Sequence, residues 1–308
     1  MNNSEFSISE KEFIAKQIKN ISMDDVEREM DALINIGHNT HTIKPRSCIG
    51  NNVVDYFTFV QRLETKGKYD TNFYEFLKNI DEFKKKKFIQ TMITYYDNIK
   101  NIKKTKNEYT VLKEVYNICI SAINILKPLN SMEIFTKFKS KRVLDFCLGW
   151  GGAAVAACAL NLEAFYGVEI NSSLTIPYHN LVSYLETKSN TNFNIQICSA
   201  LEVDYSKMEY DTVFTSPPYY FIQKYANNVK YESKKEMDEK FYKPVFTKTY
   251  NGLQKGGHYI INVCKEVYEN VLKDLLGEPD EIFSLKKFNR QNDYNEMVYV
   301  WKKKLNLL

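Results

Sequence analysis

A chain of 308 residues with 44% hydrophobic content can bury one large core or two moderate ones, so a globular protein is expected. Its formal net charge is only +4, yet lysines gather at Lys84 to Lys87 and again at Lys100, Lys103, Lys104 and Lys106, runs that suit phosphates or a solvated helix face. No stretch approaches the ~20 apolar residues that cross a bilayer, and Met1 to Glu5 lacks a basic segment followed by an apolar core; membrane and secreted classes are set aside. The six cysteines, at positions 48, 119, 147, 158, 198 and 264, form no C-x-x-C pair and have no histidines at ligand spacing. A metal site is not expected, and thiols inside apolar runs point to a reducing, intracellular compartment, cytoplasm or nucleoid or nucleus.

From Ser9 to Phe138 apolar residues recur at helical spacing, predicting a mainly helical region over residues 1–138. His38 to Asn52, polar and carrying Pro45 and Gly50, predicts a loop longer than a connection needs. Phe73, Phe76, Leu77, Ile80 and Phe83 predict one amphipathic stripe, and Val111 to Leu126 a second. After Lys141 the texture changes. Apolar runs at Arg142 to Leu148, Ala164 to Ile170, Asn194 to Ala200 and Thr212 to Thr215 alternate with helices at Ala153 to Leu160 and Ser172 to Thr187. That β-α-β-α-β pattern predicts a parallel, doubly wound α/β sheet over residues 139–308. His258 to Cys264 and Met297 to Trp301 extend it, with a helix near Tyr268 to Leu276 and a strand near Ile282 to Phe288; the last two strands are expected to pair antiparallel.

Val143-Leu144-Asp145-Phe146-Cys147-Leu148-Gly149-Trp150-Gly151-Gly152 sets an acid at a strand end and glycines before an alanine-rich helix. Glycine lets backbone approach a ligand, and the helix start directs unpaired amides into the crevice. Such a turn also suits a dinucleotide, or is only a tight connection. One strand away, Glu169 can accept hydrogen bonds from both hydroxyls of a ribose, whether of a nicotinamide nucleotide or of S-adenosylmethionine.

Ser216-Pro217-Pro218-Tyr219, at the end of the fourth strand, decides the chemistry. Two prolines fix φ and lack N–H donors, so this rigid turn offers acceptors. An exocyclic amino nitrogen of a base is a poor nucleophile because its lone pair is delocalised into the ring. Acceptors at Ser216 Oγ and the Pro217 carbonyl would bind its two hydrogens and redirect that lone pair, with Tyr219 stacked on the base. A nicotinamide-dependent oxidoreductase would give this segment no work.

With these motifs in this order, residues 141–303 resemble the amino-methylating DNA methyltransferases, the cytosine-N4 and adenine-N6 enzymes. The resemblance implies a Rossmann-like class I methyltransferase sheet with S-adenosylmethionine as cofactor and DNA as partner. It implies Asp145, Gly149 and Gly151 as the cofactor loop, Glu169 on the ribose, and Ser216, Pro217, Pro218 and Tyr219 as the catalytic tetrapeptide. Serine at the first catalytic position tilts the expectation toward cytosine N4; adenine N6, or a base in RNA, is the alternative. Phe146 and Cys147 depart from the family's usual phenylalanine two places before the glycine. Cys198-Ser199-Ala200 stands where an aspartate usually meets the adenine, so Ser199 beside Ala200, or Asp204 reaching back, is expected to substitute. The resemblance further implies an upstream loop over the cofactor, here Lys44 to Asn51, with Arg46 on the methionine carboxylate. Lysines and aromatics between Phe221 and Lys255, among them Lys224, Tyr225, Lys234, Lys240 and Lys243, suit nucleic-acid contact. The rest of the grip is expected from the helical region or a second subunit, the same chain or another. A catalytically silent nucleic-acid-binding subunit is the reading from a different class.

Overall fold

The computed structural model describes residues 6–44, 46–221, 229–285 and 296–304. Pro45, Lys224, Tyr225 and the segment 286–288 of the expected strand lie outside the described residues. The helical half comprises α1 (Ile8–Ile18), α2 (Met23–Ile36), α3 (Asn51–Arg62), α4 (Phe73–Lys78), α5 (Ile80–Lys84), α6 (Lys87–Tyr95), α7 (Glu108–Cys119) and α8 (Pro128–Lys137). Reciprocal capping boxes start three of them: Ser7 with Glu10, Ser22 with Asp25, and Asn72 with Glu75, each pair satisfying amides that a helix start leaves unpaired. Pro128, which needs no N–H partner, sits in the first turn of α8.

The second half runs β1 (Arg142–Asp145), α9 (Gly152–Ala159), β2 (Ala164–Glu169), α10 (Thr175–Glu186), β3 (Asn192–Ile197) and β4 (Thr212–Thr215). Next, α11 (Lys234–Met237) continues through a π-turn into α12 (Lys243–Gly252), followed by β5 (His258–Cys264). Then α13 (Lys265–Val267) passes through a second π-turn into α14 (Lys273–Leu276), and β6 (Glu281–Phe283) and β7 (Glu296–Lys302) close the chain. The strands form one seven-stranded sheet in the order β3-β2-β1-β4-β5-β7-β6. The first five are parallel, and β7 lies antiparallel between β5 and β6. This is the expected Rossmann-like class I sheet. Its order reverses between β1 and β4, opening a crevice beyond their carboxyl ends, where α/β sheets bind ligands.

One face of the sheet is covered by α9 with α2, α3, α8 and α10, which share a core around Val26, Met30, Val53, Phe135 and Leu181. All eight residues of α9 are buried, and its alanines let the neighbouring helices approach closely. The other face packs on α11 to α14 through Tyr242, Phe246, Tyr259 and Trp301. A third core, around Phe73, Phe76 and Tyr116, joins α1, α4, α6 and α7. Among the described residues no helix is long and apolar enough to cross a membrane.

Several expected elements differ: the stripe from Phe73 to Phe83 is two helices broken at Asn79, the third strand is Asn192–Ile197, and two further departures bear on the site. The stripe expected to reach Leu126 stops at Cys119, and residues 120–127 are an irregular strap, with Ile120 and Ile123 buried. Burial without regular hydrogen bonding mimics helical periodicity here. The strand expected to reach Leu148 ends at Asp145, because Phe146 to Leu148 leave the ladder and the Leu148 amide donates to the Val168 carbonyl at 3.0 Å, bending the chain into the glycine turn.

Candidate active site

The glycine turn closes over the carboxyl ends of β1 and β2. Gly149 and Gly151 have φ of +63° and +91°, conformations that other residues rarely adopt. Glu169, at the end of β2, accepts hydrogen bonds from the Gly149 amide at 2.8 Å and the Asn171 amide at 2.9 Å. Burial raises its carboxyl above the usual range. A carboxylate has room for about four hydrogen bonds, so acceptor capacity remains for the two hydroxyls of a ribose, and the site fits the nucleoside end of S-adenosylmethionine. Tyr178, on α10, donates its hydroxyl to the Gly149 carbonyl and fixes the turn from outside. Gly152 is needed for space rather than for conformation. A Cβ there would lie 1.9 Å from the carbonyl oxygen of Leu126, so the strap rests on bare backbone.

Asp145 does not face the crevice freely. Its Oδ1 accepts from the Thr215 hydroxyl at 2.6 Å and the Cys147 amide at 3.2 Å, tying the glycine turn to the last residue of β4. Burial pushes its carboxyl up to about 7, against those two hydrogen bonds. In an unfolded chain the same group titrates near 3.9. Between these values the folded state holds the proton more tightly, so stability from this group is full below about pH 4 and is lost as pH rises to about 7. The loss is up to about 4 kcal/mol. Asp145→Asn keeps an acceptor for Thr215 and is expected to flatten that dependence; thermal melts at pH 5 and pH 8 read it, and parallel trends in both proteins would contradict it.

Ser216 to Tyr219 follow β4 directly, so the Thr215–Asp145 bond sets them beside the glycine turn. Here the structure adds residues that local sequence reading missed. Asn262 of β5 is 2% exposed, and its Nδ2 donates to Ser216 Oγ at 3.2 Å, to Tyr219 Oη at 3.1 Å, and to the Glu296 carboxylate. Ser216 Oγ and Tyr219 Oη are 3.0 Å apart, and the Tyr219 hydroxyl donates to the Asn262 carbonyl at 3.2 Å. Burial, then the charge of Glu296, holds that hydroxyl well above its ordinary titration range, so it keeps its proton. Tyr242 clamps the same turn, donating to the Pro218 carbonyl and accepting from the Tyr220 amide at 3.2 Å. Tyr220 is buried with φ of +49°. The Pro217 carbonyl has no partner among the described residues. A polar residue inside the apolar run Tyr259 to Cys264 was the one available signal for Asn262.

The remaining expected residues fall as follows. Phe146 is buried in the core beside Phe246, and the Cys147 thiol is pushed well up by burial. Ser199 Oγ accepts from the Leu201 amide at 3.3 Å and Ala200 is buried behind it. Asp204 does not reach back: it is exposed and caps the next turn, accepting from the Ser206 amide and hydroxyl at 3.2 and 2.6 Å. Arg46 is exposed, in a loop held to the strap by Lys127, which donates to the Ser47 carbonyl at 3.0 Å. Of the lysines after the tetrapeptide, Lys234 pairs with Glu266, Lys240 with Glu236 and Lys243 with Glu239. Their charge is largely neutralised within the protein.

A family model described as RNA cap guanine-N2 methyltransferase matches residues 140–304. No curated protein matches the chain. Similar solved structures include TrmN from Thermus thermophilus, 17% identical over 57% of this chain and 48% of that chain, with a TM-score of 0.41. The chain thus spans about half the length of TrmN. Others are an rRNA methylase from Streptococcus thermophilus (15% identity, 59% and 99% coverage, TM-score 0.40) and NSun6 from Pyrococcus horikoshii with SFG (12%, 60% and 53%, TM-score 0.42). The family match overturns the expected membership of the DNA amino-methyltransferases, and with it cytosine N4 of DNA as the target. The error has a physical origin: reading Ser-Pro-Pro-Tyr as acceptors for an exocyclic amine carries no information about the polymer that bears the amine. The expectation that goes with that membership, a target base flipped out of a DNA stack, falls with it.

Proposed function

The chain belongs to the RNA cap guanine-N2 methyltransferase family, and on that premise we propose that it methylates the 2-amino group of the guanine capping an RNA. It is a methyltransferase that uses S-adenosylmethionine. The cofactor supplies an electrophilic methyl group on a sulfonium. The observation that carries the reading is that the matched stretch contains the glycine turn, Glu169 and Ser216 to Tyr219, and that the Asp145–Thr215 bond links them at the reversal point of the sheet.

Guanine's 2-amino nitrogen, like that of cytosine, has its lone pair drawn into the ring. In this reading Ser216 Oγ and the Pro217 carbonyl accept its two hydrogens and turn the lone pair out of the ring plane. Tyr219, its hydroxyl pinned, presents a fixed ring to the base. Asn262 positions both. Glu169 holds the ribose of the cofactor, the turn from Gly149 to Gly151 passes its backbone close by, and Ser199 with Ala200 lies on the adenine side.

Transfer of label from S-adenosylmethionine to a capped RNA, released in full when the product is enzymatically decapped, tests the proposal. Label that stays with the decapped chain, or equal labelling of uncapped RNA, would reject it.

A further inference from the structure

We propose that the outer face of the helical half, around Tyr69 and Phe88, binds the RNA chain downstream of the cap; this rests on the cap-guanine reading for the identity of the substrate. Between positions 84 and 106 the sequence carries eight lysines and one carboxylate, Asp97. Lys85 and Lys106 are paired, with Glu82 and Glu114. Lys84, Lys86 and Lys87 are exposed. This contrasts with the lysines beside the tetrapeptide, where Lys234, Lys240 and Lys243 each hold a glutamate. Among the described residues, Lys84, Lys86 and Lys87 thus put a run of exposed lysines without ion pairs on the helical half, where the second half has Lys230 and Lys235 of this kind after the tetrapeptide.

Aromatic rings are displayed among these lysines. Tyr69 is 53% exposed with the Lys86 ammonium 4.6 Å from its ring centre, and Phe88 is 44% exposed. Tyr69 sits at φ of +62°, followed by Asp70 at +52°, a left-handed pair that costs free energy in residues with side chains. The Tyr69 ring packs edge-on against Phe83, with centroids 6.3 Å apart, and leaves the rest of its surface to solvent. Beside it, Lys68, Phe88, Thr91, Met92, Ile118 and Cys119 line an open groove of about 480 Å³. Exposed rings that offer a π-face, set among lysines with one ammonium directly over Tyr69, are the pattern that takes single-stranded nucleic acid without reading its sequence. A membrane surface is a poorer fit, since α6 is nine residues long and its one fully buried residue, Ile89, packs inward.

The test uses the full chain and the triple variant Lys86→Glu, Lys87→Glu, Phe88→Ala, all three exposed positions. Fluorescence anisotropy with an uncapped ~30-nucleotide RNA is expected to show Kd raised about tenfold and the slope of log K against log salt reduced by about 1.4, at ~0.7 per lost phosphate contact. KM for a capped RNA of that length is expected to rise in step, with kcat and the KM for a cap dinucleotide unchanged. Unaltered RNA affinity and salt slope in the folded variant would overturn the proposal, as would unaltered RNA binding with lost binding to phosphatidylserine vesicles. If the unaltered chain methylates neither capped substrate but the variant still loses RNA binding, the cap reading fails and the surface stands.

Discussion

Asn262→Leu is expected to lower kcat on capped RNA by about 100-fold while leaving the Kd for S-adenosylmethionine unchanged. Among the described residues it makes no hydrogen bond to the glycine turn or to Glu169, and its Nδ2 donates to Ser216 Oγ and Tyr219 Oη at 3.2 and 3.1 Å. With that donor gone, the Ser216 hydroxyl keeps only its 3.0 Å contact with Tyr219 Oη, and its lone pairs are held less firmly toward the incoming amine. Misplacing a reacting group by about 1 Å costs of the order of 100-fold in rate. Leucine has the same number and branching of heavy atoms as asparagine and is somewhat bulkier, so no cavity forms, but the Glu296 carboxylate loses a partner, at about 1–3 kcal/mol. Steady-state kinetics beside cofactor titration and a melting curve separates these effects. Unchanged kcat, or a parallel loss of cofactor affinity, would contradict the positioning role.

Gly152→Ala is expected to be the most destabilising of the glycine-turn substitutions. The added Cβ would stand 1.9 Å from the Leu126 carbonyl oxygen and 3.1 Å from its carbon, both backbone atoms that cannot rotate aside. The strap must shift, and with it the start of α8 at Pro128. Overpacking of this kind costs roughly 1–3 kcal/mol, and a backbone clash belongs at the upper end. At Gly149 the comparison runs the other way. A Cβ there meets nothing nearer than 3.8 Å, so Gly149→Ala costs only the left-handed conformation, about 1–2 kcal/mol. Denaturant titration of the two variants is expected to rank Gly152→Ala as the less stable; the reverse order would show that the strap yields.

What could be read from the sequence was local in the chain. The alanine-rich helix after Gly151, the acid at the end of β2 and the two prolines after β4 each report a backbone state or an acceptor within a few residues, and the structure places them along one edge of the sheet. Asn262 and Glu296 escaped because their meaning comes from pairing. Asn262 is 46 residues from Ser216 and 34 from Glu296, and only the β4–β5 and β5–β7 neighbours bring them together. Tyr178 and Tyr242 escaped for the same reason, each acting through one hydroxyl on a distant carbonyl. The strap of residues 120–127 was misread because buried apolar residues at irregular spacing imitate a helix. The substrate polymer was misread because a tetrapeptide read as acceptors for an amine does not choose between polymers, and cytosine, adenine and guanine all offer an amine.

The measurement that bears most directly on the central claim is the identity of the methylated nucleoside. Capped RNA incubated with methyl-labelled S-adenosylmethionine and digested to nucleosides is expected to give label in a guanosine methylated at N2 and in no other nucleoside, with DNA of the same sequence unlabelled. Label in N4-methylcytosine or N6-methyladenine, from either polymer, would contradict it.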